Sequence, residues 1–101
     1  MKTRLELHNK LVELFGSDRV YYQPPENLKM EYPAIVYTIN DMYNAFSDDI
    51  KYYNRKQYKI TIIDKKPDNI VISKILDLPL SSYDRHYATN NLNHDVITLY
   101  Y

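Results

Sequence analysis

The sequence predicts an α+β domain in which two α-helices lie on one face of an antiparallel or mixed β-sheet. Three observations predict it: an amphipathic segment near the start of the chain, short segments rich in β-branched residues after it, and a second amphipathic segment between them. The predicted order is α-β-β-β-α-β-β. Because only two helices alternate with these strands, a parallel doubly wound sheet is disfavoured. At 101 residues the chain is expected to form one domain, residues 1–101, around one core.

The first helix is predicted over Thr3 to Phe15. Its apolar residues recur at helical spacing and leave Lys10 and Glu13 on the opposite side. Gly16 is the only glycine of the chain, and it falls where a left-handed residue can end a helix without a Cβ clash. The apolar positions of this helix are Leu5, Leu7, Leu11, Val12, Leu14 and Phe15.

Three strands are predicted to follow this helix. The first is the short segment Val20 to Tyr22, after which three prolines in residues 23–33 indicate an irregular loop. The second runs from Ala34 to Asn40, and its β-branched residues are typical of a central strand. The third runs from about Lys51 to Asp64. A polar turn joins the last two into a hairpin, whose tip carries Ser47, Asp48 and Asp49.

The second helix and two closing strands complete the prediction. Pro67 precedes the helix, Asp68 is its predicted N-cap, and Pro79 ends it. The closing strands are expected from Leu80 to Tyr87 and from Asp95 to Tyr101, with the polar segment TNNLN between them. The apolar stripe of the helix consists of Val71, Ile72, Ile75 and Leu76.

Composition excludes several classes of protein. Thirteen basic residues balance thirteen acidic ones, so no net charge draws the chain to duplex nucleic acid or to an anionic membrane. The absence of cysteine excludes disulfides, thiolate nucleophiles and cysteine zinc sites. No apolar run is long enough to span a bilayer, and the first ten residues lack an apolar signal core. We therefore expect a protein that is made in the cytoplasm and is neither secreted nor inserted in a membrane.

Tyrosine is over-represented among the aromatic residues. The chain contains twelve Tyr, two Phe and no Trp. A tyrosine ring with a polar tip suits a half-buried strand position, and it equally suits a protein interface. The first interpretation explains most of these residues, and the second leaves room for an interaction surface.

No convincing catalytic or metal site is evident. His8 has no second ligand one helical turn away. If the closing strands pair, four potential ligands would converge: Asp84, His86, His94 and Asp95. Ordinary polar residues at the end of a hairpin would give the same sequence. With one glycine there is no phosphate-binding loop. We therefore predict that the protein is not an enzyme and needs neither a metal nor a cofactor.

Two further patterns have weak functional interpretations. Asp64 ends an apolar strand and is followed by Lys65 and Lys66, as in some nucleases, but no second carboxylate completes a metal site. Basic residues also alternate with tyrosines in the third strand, a pattern that can bind single-stranded nucleic acid. Neighbouring aspartates cancel much of that charge. The residues concerned are Lys51, Tyr52, Tyr53, Arg55, Lys56, Tyr58 and Lys59.

The middle of the chain shows a characteristic succession: Tyr32 and Pro33 enter a strand, a polar turn follows, then a basic tyrosine-rich strand, then Ile62 to Asp64 and a helix. In this succession it resembles the tail-terminator and tail-completion proteins of long-tailed bacteriophages. The resemblance covers residues 1–77 in element order, whereas residues 78–101 agree only in being strand-like.

The resemblance implies a structural role in virion assembly. Members of this family form a hexameric ring on the last ring of tail-tube subunits, stop tube polymerisation and present a surface to the head. The expected partners are other copies of the chain, the major tail-tube protein and a head-completion or connector protein, and DNA passes through the ring without specific recognition. The expected location is the neck of the virion, assembled in the bacterial cytoplasm.

Other functions stay open from the sequence. A head-completion or stopper protein, a generic interaction module and a small inhibitor all fit a chain with no catalytic site, and a binder of single-stranded nucleic acid fits less well. For the interface, exposed aromatic and charged residues favour two segments, the hairpin tip and the long loop. The candidates on the tip are Tyr43, Phe46, Asp48, Asp49, Lys51 and Tyr53, and those on the loop are Leu28, Met30 and Tyr32.

Overall fold

The computed structural model describes residues 3–39 and 56–101. The elements follow each other in the predicted order α-β-β-β-α-β-β. Within the described residues no helix is long and apolar enough to cross a membrane. The elements are α1 (Arg4–Phe15), β1 (Val20–Tyr22), β2 (Ala34–Ile39), β3 (Gln57–Asp64), α2 (Val71–Leu76), β4 (Ser81–Thr89) and β5 (Leu92–Tyr100).

The five described strands form one mixed sheet in the order β1-β2-β3-β5-β4. β1 pairs with β2 in parallel, and the other three pairs are antiparallel. The α+β prediction with a mixed sheet is therefore confirmed. β1 and β4 are the outermost strands, so the sheet ends at two strands that differ in length, three residues against nine.

Both helices pack on the same face of this sheet. Side chains alternate between the two faces of a strand, and the apolar members of β2, β3 and β5 on one face contact α1 and α2. The other face carries no helix among the described residues. The fully buried side chains of the cluster that includes both helices are Leu7, Leu11, Ile35, Tyr37, Tyr58, Ile60, Ile62, Val71, Ile75, Ile97 and Leu99.

The predicted ends of α1 are confirmed. The Thr3 hydroxyl accepts a hydrogen bond from the Glu6 amide at 3.1 Å, which satisfies one of the unpaired donors of the first turn. At the other end Gly16 has φ 75° and donates its amide to the Val12 carbonyl at 2.8 Å. A left-handed residue that closes a helix in this way favours glycine.

We expect Gly16→Ala to lower the free energy of unfolding by about 1 kcal/mol, because an L-residue is strained in the left-handed region. No atom lies within 4 Å of the added Cβ, so a steric clash does not contribute. Urea denaturation measures the change. An unchanged or increased stability would show that this helix end rearranges easily.

The start of α2 differs from the prediction. Asp68 is not its N-cap: it has φ 60° and lies two residues before Ile70, which caps the helix without a side-chain hydrogen bond. The Asn69 amide oxygen accepts from the Val71 amide at 2.9 Å, and the Asn69 amide nitrogen donates to Asp64 at 2.7 Å. The asparagine satisfies the first turn of this six-residue helix, because its side chain can bond both partners at once.

The hairpin of β4 and β5 is longer than predicted. Its turn is only Asn90 and Asn91, which have φ 52° and 62°. Two positive φ values suit a tight hairpin turn, and asparagine tolerates them. Thr89, and residues 92–94 on the other side of the turn, therefore belong to the strands and not to the predicted loop. A β-bulge interrupts the pairing between Tyr83 and Arg85.

Candidate interaction surfaces

The predicted loop candidates lie between β1 and β2. Leu28 is 39% exposed, whereas Met30 and Tyr32 are half-buried. An ion pair of 3.5 Å joins Arg19 to Glu31 and holds the end of this loop to the residue before β1. The loop therefore offers one large exposed apolar side chain for a contact.

The predicted hairpin-tip candidates lie outside the described residues. They fall within residues 40–55, between β2 and β3. Their assignment to an interface stays a prediction. The candidates concerned are Tyr43, Phe46, Asp48, Asp49, Lys51 and Tyr53.

The histidine and aspartate residues of the closing strands do not converge. His86 pairs with Asp95, so both lie on the helix-bearing face, while His94 pairs with Tyr87 on the other face and stacks on its ring at 4.6 Å. Asp84 lies in the bulge and accepts a hydrogen bond from Thr98. Because side chains alternate between the two faces of the sheet, these four potential ligands do not form one site.

Asp64 also lacks the surroundings of a metal ligand. One of its carboxylate oxygens accepts from the Lys66 amide at 3.1 Å, and the other accepts from the Asn69 side chain at 2.7 Å. Across residues 3–39 and 56–101, no group of three or more potential ligands could hold a metal ion. The carboxylate serves the turn into α2.

The pattern of basic residues and tyrosines in β3 is divided between the two faces. Tyr58 is buried in the core and cannot stack on a nucleic-acid base, whereas Lys59 is exposed on the helix-free face. Lys51 and Arg55 lie outside the described residues. Within β3 the arrangement is that of an ordinary amphipathic strand.

The outer strand β4 is an exposed surface that the sequence patterns did not single out. All of its residues after Ser81 are exposed, and among them Tyr83 and Tyr87 are large apolar side chains. In the described sheet β4 pairs only with β5, which leaves its other edge without a neighbouring strand. An unpaired edge can add a strand from another chain.

An apolar groove lies along α2, on the helix that packs against β4. Its volume is about 480 Å³. Ile70 is the most exposed large apolar side chain of the described residues, at 71%. An exposed apolar surface of this kind is typical of a protein contact. The groove is lined by Asp68, Asn69, Ile70, Ile72, Ser73 and Leu76.

Tyr83, on the exposed strand β4, is anchored by a hydrogen bond to a buried carboxylate. Its hydroxyl donates to the buried Asp95 carboxylate at 2.6 Å. That hydrogen bond, followed by partial burial and by the charges of Asp95 and Asp68, raises the pKa of Tyr83 to about 12. The phenol therefore keeps its proton, and its hydrogen bond to Asp95, to a higher pH than a free tyrosine does.

We expect the titration of Tyr83 to report this bond. Since its pKa is raised above the ordinary 10.0, the protonated form contributes stability below pH 10 that is lost as pH rises toward 12. The difference in absorbance at 295 nm between the wild type and Tyr83→Phe should show a midpoint near 12, with folding checked by circular dichroism. A midpoint near 10 would contradict the bond to Asp95.

The opposite side of the molecule carries a second, different surface around α1 and β1. The Arg4 guanidinium lies 4.4 Å from the centre of the Tyr22 ring and donates to the Tyr37 hydroxyl at 3.3 Å. His8 Nδ1 lies 2.7 Å from the same hydroxyl. Leu5 is 60% exposed beside them. The arginine is thus positioned by two tyrosines at the outer edge of β1.

Burial affects the tyrosines under α1 as well. It raises the pKa of both Tyr37 and Tyr58, so their protonated forms contribute stability that is lost as pH rises above 10. The Tyr58 hydroxyl has no hydrogen-bond partner among the described residues. These rings are part of the core and do not form a site.

Comparison of the chain with protein families, with curated proteins and with solved structures finds no match in any of the three. The functional argument therefore depends on the surfaces of this chain itself. The two that stand out are the unlike outer sides of the sheet.

Proposed function

We propose that the protein is a structural component of a phage neck that caps the tail tube as a ring, most simply a hexamer. The single observation that supports it is the pair of unlike outer sides of the sheet. A ring of identical subunits requires two different complementary patches on each subunit, and like patches would give a closed dimer instead. The element order that resembles the tail-completion family agrees with this proposal.

The proposed mechanism is a matching of interfaces. Lateral contacts join neighbouring copies through the outer sides of the sheet. One end of the ring then binds the last tube subunits, and the other end presents the surface for head attachment. Tube growth stops because that second surface does not accept another tube ring. The loop residues Leu28, Met30 and Tyr32, with the candidates of residues 40–55, are the proposed contacts at the ends.

Mass measurement tests the ring. We expect native mass spectrometry of the purified chain, or of the chain mixed with tail-tube protein, to show a species of six times the 12.1 kDa of one chain. Rings in negative-stain images should accompany it. A stable dimer, or a monomer that persists at high concentration with and without tube protein, would overturn the ring.

A further inference from the structure

The described residues define two outer flanks that a neighbouring copy would meet. The α1/β1 flank consists of β1 with Arg4, Leu5 and Arg19. The α2/β4 flank consists of the edge of β4 with the groove along α2, Asp68 and Asp77. Leu5 and Ile70, at 60% and 71%, are the most exposed large apolar side chains in residues 3–39 and 56–101, and one lies on each flank.

The strand directions allow the two flanks to join. β1 and β4 run in opposite directions within one sheet, because β1 is parallel to β2 and three antiparallel pairings follow. If a second copy extends the sheet beyond β4 with its helices on the same face, its β1 must run antiparallel to β4. Its α1 then lies beside α2, since α1 and α2 cover the two sides of the same face.

The lengths and faces of the strands also agree. β1 has three residues, and the part of β4 before the bulge, Ser81 to Tyr83, has three as well. Ser82 and Tyr21 both lie on the helix-free face, according to their pairing with Thr98 and Val36. An antiparallel register that sets Ser82 opposite Tyr21 of the second copy keeps every side chain on its own face.

Charges favour contact between an α1/β1 flank and an α2/β4 flank over contact between two identical flanks. The α1/β1 flank carries Arg4 near the end of β1, whereas Arg19, just before its start, is already paired with Glu31 of the same chain at 3.5 Å. On the α2/β4 flank, Asp68 precedes α2 and the exposed Asp77 ends it, near the start of β4. Antiparallel pairing brings Arg4 of the second copy toward Asp77. Two like flanks would instead oppose charges of one sign.

Aliphatic contact completes this arrangement. Lys74 Nζ lies 3.5 Å from the Leu14 carbonyl of α1, so that side of α2 faces α1 within the chain. Ile72 and Leu76 lie on the other side of the helix, toward β4, and line the groove. In the extended sheet this groove receives α1 of the second copy. Leu5 is the exposed side chain available to fill it.

We propose that neighbouring copies of this chain join through antiparallel pairing of β4 with β1, with Leu5 of one copy packed in the α2 groove of the next. This inference rests on the proposed ring, and it names the surfaces that form it. It explains why β4, Ile70 and Leu5 are exposed: each lies in the proposed contact between copies.

Cysteine cross-linking tests the pairing, because the chain has no cysteine of its own. The single variants are Tyr21→Cys and Ser82→Cys. Paired residues of adjacent strands have Cα atoms about 4.5–5.5 Å apart, within the range of a disulfide. After mild oxidation we expect a disulfide dimer on non-reducing gels when the two variants are mixed, and none from either alone. The double variant should give a ladder of larger products.

The control mixture replaces Ser82→Cys by Lys59→Cys, which is exposed on the same face but lies on an inner strand. It should give no dimer. Dimers from Ser82→Cys alone would overturn the proposal in favour of like edges. Rings of the expected mass without the mixed disulfide would overturn this interface and leave the proposed function standing. A chain that stays monomeric under all conditions would overturn both.

Discussion

Leu11→Ala is expected to lower the free energy of unfolding by about 2–5 kcal/mol. Leu11 is 0% exposed and packs in the core between α1 and the sheet. The substitution removes apolar contacts and leaves a cavity that a closely packed interior fills only in part. Alanine is at least as good a helix former as leucine, so the loss comes from packing. Urea denaturation followed by circular dichroism measures it.

Leu5→Ala is the matched control, since it makes the same substitution in the same helix. Leu5 is 60% exposed, and we expect a change of less than about 0.5 kcal/mol. Equal losses at the two positions would show that α1 does not pack on the sheet through the face that carries Leu7 and Leu11. A negligible loss at Leu11 would contradict the described core.

Leu5→Asp is expected to weaken self-association of the chain about tenfold to a hundredfold. Burying a leucine side chain contributes about 1.5–3 kcal/mol, and 1.4 kcal/mol corresponds to a factor of ten. Leu5 is the second residue of α1, where an acidic side chain interacts favourably with the helix dipole. The folded monomer should therefore keep its stability. Sedimentation velocity over a range of concentrations measures the association.

Lys59→Gln is the control for this variant. It lowers the net charge by the same one unit at an exposed position on the inner strand β3, away from both flanks. We expect wild-type association. If Leu5→Asp associates as the wild type does, Leu5 is not in the interface. If both variants weaken association equally, net charge accounts for the effect and packing in the α2 groove does not.

The sequence predicts well those elements whose signals are local. Helical periodicity and one glycine place both ends of α1, and alternation places the faces of β2 and β3. The asparagine turn of the closing hairpin is also a local signal, although the sequence predicts a polar turn over all five residues of TNNLN. Asn90 and Asn91 alone suffice to reverse the chain.

Features that depend on distant residues were not predictable. Asp68 fits the usual N-cap pattern, yet Ile70 caps α2, and the Asn69 side chain bonds both the Val71 amide and Asp64 at the end of β3. The place of β5 between β3 and β4 is likewise a matter of long-range pairing. A sequence pattern assigns a face to each strand but does not say which strand lies at the edge.

The candidate surfaces show the same limit. Of the loop candidates, Leu28 is exposed, and Met30 and Tyr32 are half-buried. The sequence does not predict the α2 groove, because Ile72 and Leu76, which line it, belong to the same apolar stripe as the buried Val71 and Ile75. Only the packing of α2 divides that stripe into a buried part and a part that lines the groove.

Electron microscopy of phage particles tests the central claim most directly. The proposed function implies that a phage encodes this chain; its gene would be disrupted there, and the particles would be examined in negative stain. We predict filled heads without tails, beside free tails of abnormal and variable length, because nothing then terminates the tube. Tails of normal length that fail to join heads would assign the chain to the head side of the neck. Fully normal particles would contradict the account.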